Sequence, residues 1–193
     1  MDFIRIAEYI GFGGFILWSL IERGFMFSKQ QQREGQKKAQ FTFWLILIFW
    51  YATMFLSIWD VWGNSLTAFQ KPWIVLRAIG ILLTLGGLLI RFAARQALGK
   101  SYSVHVETSQ KHELVTSGIF SIIRHPAYLG LLCLFLGIPL SMGSWGGLLI
   151  AGLGGIPAII YRITKEEKFL VDWFGGAYET YRQNTWRLLP YLW

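Results

Sequence analysis

Charge is scarce in this 193-residue chain: Asp, Glu, Lys and Arg make up 15% of it, where an ordinary soluble domain carries about 25%. With 54% hydrophobic residues and a mean hydropathy of +0.43, too little polar surface remains to wrap one compact unit of this length in water. An ordinary water-soluble globule is not expected, and a bilayer becomes the natural solvent. Cysteine is nearly absent. The single Cys133 excludes an internal disulfide and a thiolate metal site, and it carries no information on redox compartment. Low-complexity tracts, long Pro- or Ser-rich linkers and repeats at solenoid spacing are missing too, so residues 1–193 read as a single membrane-embedded domain. A basic n-region is also lacking: the start MDFIRIAEYI has an acid at position 2, which argues against a cleaved signal peptide.

What the chain has instead is long uncharged runs. Residues 41–59 are 19 positions without a charge, close to the roughly 20 that span a hydrocarbon core. Residues 126–161 hold no Asp, Glu, Lys, Arg or His over 36 positions, about 54 Å as one helix, too long for a single crossing. Pro139 and the small stretch Ser141-Met142-Gly143-Ser144 divide that run near its middle, which predicts a helical hairpin with spans at about 126–141 and 144–161. Pro72 to Ile90 forms another span, with Arg77 near one end in a position to snorkel. Phe3 to about Phe25 forms the first, trimmed by Arg5, Glu8, Glu22 and Arg23. The expected fold is an all-α integral membrane protein of about five transmembrane helices. Residues 1–97 carry the first three spans, and 98–193 carry the hairpin, a polar loop and the tail.

The connecting segments test that count. Their Lys and Arg number four in 27–40, one in 62–71, five in 91–125, none at the hairpin tip and five from 162 onward. The alternation predicts an N-terminus outside and a C-terminus in the cytoplasm. The net charge of +7 is then mostly topology, and a nucleic-acid partner is not expected.

Polar chemistry gathers on the predicted cytoplasmic face. His105, His112 and His125 all lie in one loop, but spacings of seven and thirteen put no pair at i, i+3 or i, i+4, so no metal site is expected. Arg124-His125-Pro126-Ala127-Tyr128 reads as a helix start, with Pro at the first helical position and His125 at the mouth of the fourth span. A helix N-terminus attracts anions; the plainer alternative is a snorkelling Arg and an interfacial Tyr. Arg162 and Glu166 are four apart and share one face of a continuing helix, where lone charges at membrane depth are costly. A hairpin returns both its ends to one membrane face, so His125 and Tyr128 are expected to face Arg162 and Glu166. Phe174, Tyr178 and Tyr181 would line one side of a short tail helix, packing against the interface or covering the loop. Gly152-Leu153-Gly154-Gly155 lacks the strand that a dinucleotide fingerprint needs and reads as close helix packing, as do Gly143 and Gly147.

Together, His112-Glu113-Leu114-Val115-Thr116-Ser117-Gly118, Arg124-His125-Pro126-Ala127-Tyr128-Leu129-Gly130, Arg162 with Glu166-Glu167, Phe174-Gly175, Tyr178, Tyr181 and Leu189-Pro190 resemble the isoprenylcysteine carboxyl methyltransferase family. Its bacterial and archaeal relatives, and more distantly the phospholipid methyltransferases, share the pattern. The resemblance covers about residues 98–192. It implies an integral-membrane methyltransferase that binds S-adenosylmethionine, releases S-adenosylhomocysteine, and methylates an isoprenoid-like or other lipid substrate entering from the bilayer. Carried over by position, the cofactor site would comprise His105, His112, Glu113, Leu114, Val115, Gly118, Phe120, His125, Pro126, Ala127, Tyr128, Glu166 and Glu167. Arg162 would face substrate, with Glu166 beside it as the second catalytic residue. The chain departs from relatives at His105, often Gln, and at Phe120, commonly Tyr. Three alternatives stay open at this level: a nicotinamide-dependent membrane reductase of the sterol-reductase kind, a phospholipid or amine methyltransferase, and a non-catalytic membrane scaffold.

Overall fold

A computed structural model describes residues 2–26, 36–63, 67–98 and 114–191. Helices α1 (Phe3–Met26), α2 (Gln36–Trp62) and α3 (Ile74–Leu98) lead to a 3-10 turn at Gly118–Ser121. Then come α4 (Pro126–Met142), α5 (Trp145–Ile150), a π-turn (Ala151–Gly155), α6 (Ile156–Phe174) and α7 (Gly176–Gln183). The α5, π-turn and α6 segments run on as one 30-residue helix. Among the described residues there is no strand, only the isolated bridges Ala68 to Ser144 and Ile123 to Trp186. This is an all-helical integral-membrane protein.

Among the described residues, four helices are long and apolar enough to cross a bilayer: Phe3–Leu20, Phe41–Trp62, Ile74–Leu98 and Trp145–Phe174. The expected fourth span is shorter, with 17 residues in α4, about 26 Å at 1.5 Å per residue. Two expected boundaries move. The third span, read as ending at Ile90, continues to Leu98 because Arg91 and Arg95 are good helix formers and no breaker precedes Gly99. The fifth, read as ending near Tyr161, continues to Phe174, since no Pro or Gly interrupts 158–174.

The outer surface of the bundle is apolar where that of a soluble one is polar. On α2 the large apolar side chains Phe41, Trp44, Ile48, Tyr51, Phe55, Trp59 and Trp62 are exposed, while Thr42, Thr53, Ser57 and Asp60 are buried. Lipid tails solvate the first set, and hydrogen bonds inside the bundle hold members of the second, as where the Ser57 hydroxyl donates to the Thr53 carbonyl at 2.8 Å. The core comprises Trp18 of α1, Trp50 and Met54 of α2, Leu134, Phe135 and Ile138 of α4, and Ile159 and Ile163 of α6. Trp50 packs edge-on against Phe135 with centroids 5.1 Å apart.

Small residues let α3 and α4 touch along their backbones. A Cβ on Gly87 would stand 2.7 Å from the Gly130 carbonyl oxygen, and one on Gly137 would stand 2.6 Å from the Thr84 nitrogen. Close approach of this kind replaces hydrophobic driving force in lipid. At the hairpin tip Gly143 caps α4 in the left-handed region, φ 81°, and the Ser144 hydroxyl then caps α5 by accepting from the Gly147 N–H at 2.7 Å.

At that same end, Asp60 is 3% exposed and accepts from the hydroxyls of Ser144 at 2.5 Å and Thr67 at 2.6 Å. Arg77 does not snorkel as expected. It is buried, donates to the Ser141 carbonyl at 2.9 Å and the Pro72 carbonyl at 3.2 Å, and pairs with Glu8 at 3.5 Å. The partner from α1 satisfies inside the bundle a charge that would otherwise have to reach water.

Candidate functional site

The opposite end of the bundle, where α2 begins and α3 ends, holds a second and denser polar cluster. Pro126 occupies the first position of α4, and His125 is its N-cap, but the imidazole makes no capping bond. Released from the helix end, the ring lies 3.3 Å through Nε2 from Oε1 of Glu167. The backbone on either side is stitched to the tail. The Arg124 N–H donates to the Trp186 carbonyl at 2.8 Å, the His125 N–H to the Arg187 carbonyl at 3.2 Å, and the Trp186 N–H to the Ile122 carbonyl at 3.0 Å.

Those backbone bonds bring two guanidinium groups onto one carboxylate. Arg124 donates from Nε to Glu167 Oε1 at 3.0 Å, and Arg187 donates from Nη2 to Oε2 at 2.6 Å. Arg124 also donates from Nη1 to the carbonyls of Arg182, at 2.9 Å, and Thr185. Glu167 is 3% exposed. Burying a carboxylate is tolerated only when its lone pairs are filled and its charge is met, and here one side chain from the start of α4, one preceding it and one from the tail do both.

The neighbouring carboxylate is held differently. Consecutive helical residues point about 100° apart, so Glu166 faces α4 at another place and accepts from the Tyr128 hydroxyl at 2.6 Å. That same hydroxyl accepts from Arg162 Nε at 3.1 Å, and Arg162 Nη1 donates to Thr42 Oγ1 of α2 at 2.8 Å. Arg162 Nε and Glu166 Oε2 are 3.9 Å apart. Arg162 is buried, whereas the Glu166 side chain keeps 24% of its surface. The result is a guanidinium fixed at the edge of an apolar bundle, with an open carboxylate beside it. From α3, Arg91 donates to the Ala127 carbonyl at 3.0 Å and so tethers the first turn of α4.

Four of the remaining predicted residues lie in the described segment that leads into α4. Leu114 and Val115 are half-buried, Gly118 is exposed, and Phe120 is buried. Gly118 adopts φ 63°, and nothing lies within 4 Å of a Cβ built there. Tyr181 of α7 donates to the Phe120 carbonyl at 2.7 Å, and Tyr178 is buried beneath. Burial pushes the Tyr181 phenol up to about 12 and raises that of Tyr178 as well, so both remain neutral. His105, His112 and Glu113 lie outside the described residues. Among the described residues no group of three His, Cys, Asp or Glu side chains is placed to hold a metal ion.

The structure therefore gathers His125, Tyr128, Arg162, Glu166 and Glu167 at one end of the hairpin, and splits them into a closed set around Glu167 and a partly open set around Glu166. Sequence reasoning missed Thr42, Arg187 and the pairing role of Arg124. The adjacent acids Glu166 and Glu167 were the available signal, since two neighbours on a helix require two separate sets of partners. Thr42 and Arg187 had no local signal, for the charged partners that place them in the site, Arg162 and Glu167, are distant in the chain.

The sequence profile of the phospholipid methyltransferase family matches residues 75–177, more than half the chain. Among individual proteins, the protein-S-isoprenylcysteine O-methyltransferase of Schizosaccharomyces pombe is 35% identical over 118 residues, covering 60% of this chain and 49% of that protein. The Xenopus laevis protein of the same name is 30% identical over 148 residues, with 74% and 51% covered. That of Dictyostelium discoideum is 26% identical over 140 residues, with 70% and 57% covered. The chain thus spans about half the length of these curated relatives. The matched region contains Arg124, His125, Tyr128, Arg162, Glu166 and Glu167, and the chain belongs to the phospholipid methyltransferase family.

Proposed function

We propose that the protein transfers a methyl group from S-adenosylmethionine to the carboxylate of an isoprenylcysteine-like or other lipophilic substrate. One observation carries this reading: Arg162 is buried at the lip of an apolar bundle, held by Thr42, Tyr128 and Glu166. A guanidinium at such depth is expensive, and its planar fork matches a carboxylate. The family membership and the relatives' names favour methyl transfer over nicotinamide-dependent reduction or a scaffold role.

The residues present fit the cofactor by their donor set. Glu166 offers a partly open carboxylate to a cationic group, and the stretch from half-buried Leu114 to exposed Gly118, with open space at the Gly118 Cβ position, offers backbone to a nucleoside. In this reading His105, His112, Glu113, Leu114, Val115, Gly118, Phe120 and His125 to Tyr128 hold the cofactor. Glu167 acts from behind by fixing His125. Bound there, S-adenosylmethionine supplies a methyl group activated by a sulfonium centre. The acceptor carboxylate is already ionised near pH 7, so no general base is required. Arg162 orients that carboxylate, Glu166 meets the positive charge, and the surrounding helices exclude water; holding two reactants in attack geometry supplies several kcal/mol. The acceptor's hydrocarbon chain lies among the exposed apolar faces that meet the bilayer. The site faces the cytoplasm and the N-terminus lies outside, as the loop charges predict.

Detergent-purified protein incubated with methyl-tritiated S-adenosylmethionine tests the reading. An S-farnesyl cysteine derivative should yield a base-labile methyl ester, and the same compound with its carboxylate blocked should yield none. Label on phosphatidylethanolamine alone would move the acceptor to an amine, and saturable binding of NADPH alone would overturn methyl transfer.

A further inference from the structure

The helix that carries Arg162 is not a uniform α-helix. Its buried residues fall mostly in pairs, Gly146-Gly147, Gly154-Gly155, Ala158-Ile159 and Arg162-Ile163, with Ala151 and Glu167 in the same stripe, so the buried face recurs about every four positions. An α-helix turns about 100° per residue, so a stripe with that spacing drifts about 40° per step and about 200° over the five steps. Such a seam cannot stay against one set of neighbours unless the helix unwinds. It unwinds at Ala151–Gly155, where the Ile156 N–H donates to the Ala151 carbonyl, one residue further back than an α-helix allows. Pro157 follows and has no N–H to give, so a regular turn could not be completed there in any case. The widened turn absorbs one extra residue, about 100° of azimuth and so about half of that drift.

Glycine makes the widened turn fit its surroundings. A Cβ on Gly154 would enter the Phe49 ring of α2, and one on Gly155 would enter the Phe135 ring of α4. On the other side, nothing lies within 4 Å of a Cβ at Gly152. Upstream, Gly147 is seated against Ser57 and Pro139, and downstream Arg162 reaches Thr42 and Tyr128. The two halves are thus each fixed to α2 and α4, and the π-turn sets the angle between them.

We propose that the π-turn at Ala151–Gly155, held by Phe49 and Phe135 in the notches of Gly154 and Gly155, is the positioning element that aims Arg162 and Glu166 into the site. The residues of the turn act through Arg162 and touch neither reactant. The geometric part stands on the packing alone, while its consequence for catalysis rests on the function proposed above.

Deleting Gly152 removes the extra residue without removing a packed side chain, and Gly152→Ala is the matched control. Two cysteine pairs report geometry independently of activity in a Cys133→Ser background: Thr42→Cys with Arg162→Cys below the turn, and Asp60→Cys with Ser144→Cys above it, each pair already in side-chain contact. A short bis-thiosulfonate reagent should link both pairs in the parent and in Gly152→Ala. In the deletion at least one pair should lose tenfold or more of its cross-linking. On the otherwise unaltered chain, the deletion should lower kcat for methyl transfer at least 100-fold, with Gly152→Ala within twofold of the parent. Should the deletion fail to fold, Gly154→Ala takes its place. It should depress kcat, and the double variant Gly154→Ala, Phe49→Ala should recover most of the loss because the ring that the methyl displaced is gone. Retention of both cross-links and of kcat in the deletion overturns the proposal, as does Gly154→Ala with full kcat. If the parent transfers no methyl group while the cross-links respond as stated, the functional reading fails and the positioning geometry stands.

Discussion

The Tyr128 hydroxyl donates to Glu166 at 2.6 Å and accepts from Arg162 at 3.1 Å, so one phenol joins the two charged groups that the helix backbone places four residues apart. The direct Arg162 to Glu166 separation is 3.9 Å, at the outer limit of an ion pair. The bridge from α4, and not the i, i+4 contact, defines where each charge points.

Tyr128→Phe should therefore leave the protein folded and reduce methyl transfer about tenfold, the scale of one hydrogen bond to a charged group. Single-turnover kinetics on the purified variant check this. An unchanged rate would show that the bridge plays no part in aiming Arg162.

Arg162→Ala should abolish transfer, with a loss of about 100-fold or more, as for other preorganised donors, and keep S-adenosylmethionine affinity within a few fold. Equilibrium binding of labelled cofactor measured beside turnover separates the two effects. Loss of cofactor binding with intact acceptor binding would assign this residue to the wrong partner.

Glu166→Gln and Glu167→Gln should behave oppositely. Glu167 is buried between Arg124, Arg187 and His125, and neutralising it leaves two guanidinium groups uncompensated, a cost of about 3–5 kcal/mol or about 10 °C in thermal midpoint at this chain length. Glu166 is partly open, so its variant should melt within a few degrees of the parent yet transfer poorly. Thermal unfolding and turnover of the pair decide this.

Asp60→Ala tests the far end. It removes the carboxylate that accepts from the Ser144 and Thr67 hydroxyls, a loss of about 1–3 kcal/mol, so the midpoint should fall by several degrees. Cofactor affinity should not change, because Asp60 lies at the opposite end of α2 from Thr42.

Gly137→Leu should be worse. The new side chain must displace the Thr84 backbone across the α3–α4 contact, and overpacking at a backbone-to-backbone contact exceeds the usual 1–3 kcal/mol. Expression and monodispersity in detergent report it.

Much of the architecture was legible along the chain because apolar run length is set by bilayer thickness and needs no tertiary knowledge. The hairpin is the clearest case: Pro139 and Gly143 announce its tip, and the tip in turn forces His125 and Arg162 to the same end. The resemblance in motifs pointed to the same residues. Arg77 shows the limit. Its position in the third span was evident, but whether it snorkels or is buried depends on Glu8 and the Ser141 carbonyl, which only packing supplies.

The sequence by itself determined the solvent, the helical class, the hairpin and the family pattern, since each is written in local spacing of apolar, small and charged residues. Tertiary structure alone decided which charge meets which. Glu166 and Glu167 are neighbours in the chain and alike in chemistry, yet a 100° step around the helix gives one an open edge beside Tyr128 and Arg162 and seals the other between Arg124 and Arg187. Partner choice of that kind is a property of distances between helices, and no linear spacing encodes it.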